Sequence, residues 1–221
     1  MKCLKCGKTI GLLRRGQLIL DGCVCYKCFA ELGFTEDDRR MTGPAYYHWN
    51  DIQYGKAKYD ALRWAKAKAY YEFLVQYEDN EKVYKILERY QRDLTDPDDK
   101  YDGMTMREIK ASDDCKIKHY EYPPLDATVD LIETERDGKP AIQVTFYDGD
   151  KERPIGYAPP RKVKRIREIL ADKDPFVSAE LFGGHYMMLK DSGWVETDYS
   201  DDLKVRVKLD WSSRITFDDV E

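Results

Sequence analysis

The sequence predicts a mixed α+β fold made of small modules in series. Five of the six cysteines fall within the first 28 residues, which is typical of a small metal-bound module. Apolar residues then recur at three- and four-residue steps up to about residue 94, and from about residue 116 the period changes to two. The order is therefore a cysteine-rich module, a helical middle segment and an antiparallel β module.

Length and composition exclude several classes of protein. The chain has 221 residues, 42% of them hydrophobic, so it has enough apolar material for a core and is not wholly disordered. The 37 basic and 42 acidic residues give a net charge of −5, which excludes a uniformly basic nucleic-acid coat but leaves room for local basic faces.

Membrane attachment and secretion are not predicted either. No apolar run approaches the ~20 residues of a membrane-spanning helix, and the opening MKCLKCGK lacks the apolar segment of a secretory signal. We therefore expect a protein of the reducing cytoplasm with no membrane partner.

The cysteine spacing predicts a metal site. Cys3-x2-Cys6 and Cys25-x2-Cys28 are separated by eighteen residues, within the range typical of zinc sites. Each two-residue spacer lets one tight turn direct two thiolates at the same ion, and four cysteines leave no open position for water. We predict a structural Zn²⁺ in a zinc ribbon over residues 1–35. Disulfides are disfavoured without secretion, and a redox CxxC is disfavoured because two pairs occur together. An iron–sulfur site would use the same four thiolates and remains open.

Cys23 is left over by this assignment. It could replace Cys25 as a ligand, but only Cys25 keeps the two-residue spacer to Cys28. The stretch MKCLKCGKTIGLLRRGQLILDGCVCYKCFAELGF also resembles a bacterial zinc-ribbon family that opens with CxxCGKxIG and closes with DG-x-x-CxxC. Members of that family occur in bacterial and phage proteins of mostly unassigned role, so the resemblance supports the metal and implies little about activity.

The middle segment, residues 36–100, is predicted to be a helical hairpin followed by an acidic linker. One helix is expected from about Lys56 to Tyr77 and a second from Val83 to Leu94, which together form an antiparallel pair. Basic residues mixed with aromatics on the outer face of the first helix can grip nucleic acid, but a solvated face is the favoured interpretation. These residues are Lys56, Lys58, Arg63, Lys66 and Lys68, near Tyr70 and Tyr71.

Residues 101–221 are predicted to form a small, partly open antiparallel β-barrel with one main helix. Thr105 and Glu108 make a capping box for a short helix. Alternating runs separated by Asp137-Gly138 and Asp148-Gly149 predict hairpins. The main helix is expected from about Pro160 to Ala171, and strands are then expected to resume up to Ile215–Phe217, which would close the sheet.

Within this module, AIQVTFYDGDKERPIGYAPPRKVKRIREIL resembles the core of the HIRAN domain, with its AI-x-V … IGY-x-P pattern and following helix. The similarity covers about residues 115–190. It implies a small barrel that binds DNA, notably single-stranded 3′ ends. One departure stands out: family members that hold DNA usually carry Asn-x-x-Asp-x-x-Ala-Ile, whereas the corresponding stretch here is ERDGKPAI, in which only Asp137 lies nearby.

The residues that could contact nucleic acid are a tyrosine and a basic helix start. The Tyr157 ring could stack on a base, and helix N-termini attract phosphate. The competing interpretations are a packed barrel residue and a solvated helix face. The candidate set is Tyr157, Arg161, Lys162, Lys164 and Arg165.

No residue set indicates catalysis. His48, His119 and His185 are scattered and lie in no nucleophile or metal motif. Two hypotheses follow: a non-enzymatic nucleic-acid-binding accessory protein that engages single-stranded DNA or DNA ends, or a protein-interaction adaptor or phage-encoded inhibitor that binds a protein partner. Seventeen tyrosines and an acidic C-terminal tail suit the second hypothesis.

Overall fold

The computed structural model describes residues 1–10, 16–41, 47–112 and 116–220. Helices and antiparallel sheets are both present, as predicted. The chain divides into two compact units, residues 1–69 with 212–221 and residues 70–211. The predicted boundaries near residues 35 and 100 do not coincide with this division. Residues 11–15 of the predicted zinc ribbon lie outside the described ranges.

The described residues of the N-terminal unit include a two-stranded hairpin and four α-helices. The hairpin strands pair with Ile19 opposite Gly22, so the chain turns at Leu20 and Asp21. Asp21 also holds the next segment, because its carboxylate accepts hydrogen bonds from the Trp49 amide at 2.6 Å and the His48 ring at 3.1 Å. The elements are β1 (Gly16–Ile19), β2 (Gly22–Cys25), α1 (Tyr26–Glu31), α2 (Glu36–Met41), α3 (Trp49–Ile52) and α4 (Lys56–Ala67).

The core of this unit extends beyond the cysteine-rich module. The rings of Phe29 and Phe34 stack 4.6 Å apart, and Tyr47 meets Phe34 edge-on at 5.4 Å. Tyr59 on α4 continues the cluster, 5.5 Å from Tyr47. A ribbon of about 35 residues has too little apolar surface to fold alone. Here α3 and α4 supply additional apolar contacts.

The predicted helix over 56–77 is wrong beyond Ala67. Residues Tyr70–Leu74 form β3 and Gln76–Tyr77 form β4. Exposure alternates there, with Phe73 and Val75 buried and Glu72 and Leu74 exposed. Residues four apart share a face in a strand as well as in a helix, so the recurrence of apolar residues every four positions fits both structures. The predicted helix pair is therefore interrupted by strands, and the second helix, α5 (Asn80–Leu94), belongs to the second unit.

The second unit holds two open antiparallel sheets. One has the order β3-β11-β10-β5, with β6 also paired to β10, and the other has the order β4-β9-β8-β7. The strands are β5 (Lys118–Tyr120), β6 (Leu125–Ala127), β7 (Val129–Arg136), β8 (Lys139–Asp148), β9 (Lys151–Tyr157), β10 (Phe176–Leu189) and β11 (Val195–Asp210).

Two chain segments pass from one sheet to the other. Residues 70–77 pair first with β11 and then with β9, and residues 125–136 pair first with β10 and then with β8. Gly156 permits the close approach of β4 to β9: its φ is +156°, and a Cβ there would lie 2.1 Å from the Gln76 carbonyl oxygen. The described strands thus make linked open sheets rather than a closed barrel.

Three helices accompany these sheets: α5, α6 (Met106–Ala111) and α7 (Pro160–Lys173). The capping box predicted at Thr105 and Glu108 is confirmed, and α7 buries Val163, Ile166 and Ile169 against both sheets. The predicted hairpin turns at Asp137-Gly138 and Gly149 are also present.

The chain end differs from the prediction. Ser212–Arg214 and Phe217–Asp219 are short 3₁₀ helices, so no strand at 215–217 closes a sheet. Gly183 and Gly184 lie inside the continuous strand β10, where its pairing with β11 shifts in register.

Candidate metal centre and basic surface

The four predicted cysteine ligands come together in the N-terminal unit. The Sγ atoms of Cys3, Cys6, Cys25 and Cys28 all lie within 4.8 Å of one another. The first pair occupies a tight turn closed by a hydrogen bond from the Gly7 amide to the Cys3 carbonyl at 2.8 Å. Gly7 has a φ of +70°, a conformation that glycine adopts without strain, as the turn requires.

The second pair lies where β2 passes into α1. Cys25 is the N-cap residue of α1 in extended conformation, and Cys28 lies in the first turn of the helix. The Cys25 amide donates a hydrogen bond to the Cys3 sulfur at 3.3 Å, which links the two turns directly. Cys3 and Cys28 are buried, whereas Cys6 is exposed and Cys25 is partly exposed.

The hydrogen bonds around Cys3 favour its thiolate form. Burial acts to raise the pKa of Cys3, but hydrogen bonds from the Cys6 and Cys25 amides, the Cys6 side chain and the Lys5 amide outweigh burial and lower that pKa to about 6. Burial raises the pKa of Cys28, and hydrogen bonds to the neighbouring cysteines raise it further. Without an ion, the Cys3 thiol therefore gives up its proton more readily than the Cys28 thiol.

This donor set fits a metal ion. In a tetrahedral site with Zn–S bonds of ~2.3 Å the sulfurs are about 3.8 Å apart, so sulfurs within 4.8 Å of one another need only a small contraction. With four protein ligands, a tetrahedral ion here would have no position left for a substrate or an activated water. The Cys3–Cys6–Cys25–Cys28 cluster could thus hold a metal ion.

Cys23 lies outside the cluster. Its side chain is buried, and its sulfur lies 3.9 Å from the Val24 carbonyl oxygen. Burial raises the pKa of the Cys23 thiol, and the negative charge of Cys3 and Cys25 raises it further. Cys23 therefore behaves as a small core residue of the hairpin.

Tyr157, the predicted stacking residue, lies at the end of β9 and is partly buried. It pairs with Gln143 on β8 and with Gln76 on β4, which places the three residues in one row across the sheet. The Arg136 guanidinium lies 4.6 Å from the centre of the Tyr157 ring. The sequence pattern gave no reason to select Arg136, because it reaches the ring only through the hairpin that pairs β7 with β8.

The four basic candidates on α7 do not form one cluster. Arg161 and Lys162 line a cleft with Leu74 and Gln76, and since Gln76 pairs with Tyr157 this cleft adjoins the tyrosine row. Lys162 donates a hydrogen bond to the Glu72 carbonyl oxygen at 2.8 Å.

Lys164 lines a different cleft with Glu133 and Arg167, and Arg165 pairs with Glu168 at 3.3 Å. In the described part of the chain, Arg161 and Lys164 have no acidic partner. The structure thus joins Tyr157 with Arg161 and Lys162 and separates Lys164 and Arg165 from them.

The histidines do not converge on a reactive centre. His48 bonds to Asp21 in the first unit, and the buried His119 bonds to Asp102 at 2.8 Å, while His185 is exposed on β10. Among the described residues, the cysteine cluster is the one group of three or more potential metal ligands.

Comparisons with known proteins place the chain in no family. No family model, curated protein or solved structure matches it. None of the described helices has the length and apolar character needed to span a membrane.

Proposed function

We propose that the four cysteines bind one structural Zn²⁺ and that the protein is a non-enzymatic nucleic-acid-binding accessory protein. In this proposal a HIRAN-like second unit engages single-stranded DNA or DNA ends. The observation that carries it is the row of Gln143, Tyr157 and Gln76, bordered by the cations Arg136 and Arg161.

The metal supplies rigidity in this account. The ion would hold the Cys3–Cys6 turn against the β2–α1 junction, and ligand binding then contributes directly to the folding free energy of a module with a small core. The four thiolates would orient the turns and exclude water from the ion. The aromatic cluster around Phe34 and Tyr47 would then pack against a fixed hairpin.

The tyrosine row has the composition of a single-strand contact. An aromatic ring can stack on any base, and a guanidinium beside it can neutralise a phosphate or stack in turn. Gln143 and Gln76 add uncharged amide groups that can donate to and accept from a base edge. The row itself contains no carboxylate, although the whole chain is acidic.

Asp137 would affect the binding of DNA ends rather than the binding of the interior of a DNA strand. It occupies the turn directly after Arg136 with a φ of +53°. A carboxylate there can accept a hydrogen bond from a terminal hydroxyl and repels a terminal phosphate. We therefore expect a 3′-hydroxyl strand to bind more tightly than the same strand with a 3′-phosphate.

Binding of a labelled oligo(dT) measured by fluorescence anisotropy tests this function. We expect Tyr157→Ala to weaken binding by at least fivefold, because base–aromatic stacking is worth ~1–3 kcal/mol. The combined change Arg136→Glu and Arg161→Glu should weaken it further. The matched control is Lys82→Glu with Lys85→Glu, two exposed lysines on α5.

If wild-type protein shows no binding at low salt, the nucleic-acid function is wrong and a protein partner becomes the better hypothesis. The exposed Leu18 on β1 and the exposed Leu20 in the following turn would then be the first place to look for that partner.

A further inference from the structure

The outer side of α4, in the N-terminal unit, combines positive charge with an exposed tryptophan. Between Lys56 and Lys68 five residues are cationic and only Asp60 is acidic. The Trp64 side chain is 66% exposed, and the Lys68 ammonium lies 4.2 Å from the centre of its ring. Leu62, not Trp64, is the side chain that α4 buries in the unit.

The positive charge on this side is available to a ligand. Lys56 pairs with Asp60 at 2.8 Å and with Asp38 at 3.1 Å, so the acidic residue of the helix is already neutralised. Arg63, Lys66 and Lys68 have no acidic partner among the residues that the structure describes. Since the chain as a whole carries a net charge of −5, this concentration of unpaired cations is a local feature and not an average property of the surface.

The chemistry of this side distinguishes between anionic partners. A membrane surface requires a broad apolar face on the helix, and here the exposed apolar residues beside Trp64 are only Ala57 and Ala67. An acidic peptide would use the cations but has no flat group that requires an exposed indole. Single-stranded nucleic acid uses both features, because its phosphates pair with cations while its bases stack on aromatic rings.

We propose that Arg63, Trp64 and Lys68 form a second surface for single-stranded nucleic acid, termed the Trp64 surface. The proposal rests on the nucleic-acid function proposed above and adds a contact on the other unit. A base stacks on the Trp64 indole beside the Lys68 ammonium, and the Arg63 side chain neutralises a flanking phosphate.

The test measures oligo(dT) binding by the full chain with Trp64→Ala, Trp64→Phe and the pair Arg63→Glu with Lys68→Glu. The chain offers a matched control in Trp194, which is 69% exposed and has the Lys110 ammonium 5.1 Å from its ring centre. Trp194→Ala therefore removes an equally exposed indole with a similar lysine contact. Circular dichroism of each variant confirms that α4 still folds.

Trp64→Ala should weaken binding by about five- to 150-fold, which corresponds to the ~1–3 kcal/mol of one base stack. Trp64→Phe should retain most of the affinity, and Trp194→Ala should change it less than twofold. Equal weakening by Trp64→Ala and Trp194→Ala, or unchanged binding by both Trp64 variants, would overturn the proposal.

Additional variants and competitors in the same binding assay distinguish failure of this proposal from failure of the proposed function on which it rests. Loss of binding in the variant with Arg136→Glu and Arg161→Glu, combined with no effect at Trp64, would leave the proposed function standing and remove the Trp64 surface. Absence of binding by wild-type protein would remove both. Polyglutamate that competes as strongly as oligo(dT), or anionic vesicles that bind in a Trp64-dependent manner, would show an unspecific anionic or lipid contact and contradict the proposal.

Discussion

Replacing one clustered cysteine should release the metal, whereas replacing its neighbour outside the cluster should not. Cys28 is only 5% exposed and lies among the four clustered sulfurs, and Cys23 is 3% exposed but lies outside them. The changes Cys28→Ser and Cys23→Ser are therefore matched in chemistry and burial and differ only in whether the sulfur belongs to the cluster.

The two variants should differ in how much metal affinity and stability they lose. Structural zinc binding contributes ~10–16 kcal/mol of apparent free energy in small zinc modules. Changes in residues that only hydrogen-bond to metal ligands typically reduce metal affinity by ~10–100-fold. Loss of one of the four ligands themselves in Cys28→Ser should reduce metal affinity by more than that. Cys23→Ser buries a hydroxyl in place of a thiol and should cost about 1–3 kcal/mol of stability with no change in metal content.

Native mass spectrometry and amide hydrogen exchange provide the assay. Wild-type protein and Cys23→Ser should each carry one zinc ion, and Cys28→Ser should carry none. The amides of Leu4 and Gly7, which bond to the Cys23 and Cys3 carbonyl oxygens, should lose protection in Cys28→Ser. The Val75 amide, bonded to Val205 in the second unit, should remain protected. Equal metal loss in both variants, or full metal retention in Cys28→Ser, would refute the assignment of the ligands.

Two further predictions concern stability. Hydrogen bonds from Lys118 and Tyr120 lower the pKa of the Asp201 carboxyl. These bonds therefore stabilise the folded protein above about pH 4, and this stabilisation is lost as the pH falls through the lowered pKa. Asp201→Asn should therefore reduce stability by about 1–3 kcal/mol in urea unfolding at pH 7, with the difference from wild type shrinking towards pH 3; a constant difference would be inconsistent with this linkage. Gly16→Ala would place a Cβ 2.6 Å from the Cys23 sulfur and should cost about 1–3 kcal/mol in thermal unfolding of the N-terminal unit, whereas a cost below about 0.5 kcal/mol would show that the hairpin adjusts freely.

The sequence was most informative where the chemistry is local. The CxxC spacing identified all four members of the cluster and left out Cys23, because a two-residue spacer in a tight turn leaves few geometries for two sulfurs. The start of α7 was equally predictable, since proline at the first helical position and a stripe of Val163, Ile166 and Ile169 specify both its beginning and its buried face.

The sequence was least informative where a helix and a strand give the same apolar pattern, and where residues far apart in the chain come into contact. Ala69, Phe73 and Tyr77 recur every four residues, which fits a helix and a strand equally well, and only pairing with β11 and β9 decides for the strand. The contact between Arg136 and Tyr157 depends on strand register and has no local pattern. The assignment of residues 212–221 to the first unit likewise depends on long-range packing.

The dependence of oligo(dT) affinity on salt tests the nucleic-acid function most directly. If cations on α7 and at Arg136 contact phosphates, the logarithm of the binding constant should fall linearly with the logarithm of salt concentration, with a slope near −0.7 per phosphate contact. The variant with Arg136→Glu and Arg161→Glu should show a shallower slope. Binding whose affinity does not respond to salt, or a slope that this variant leaves unchanged, would contradict the account.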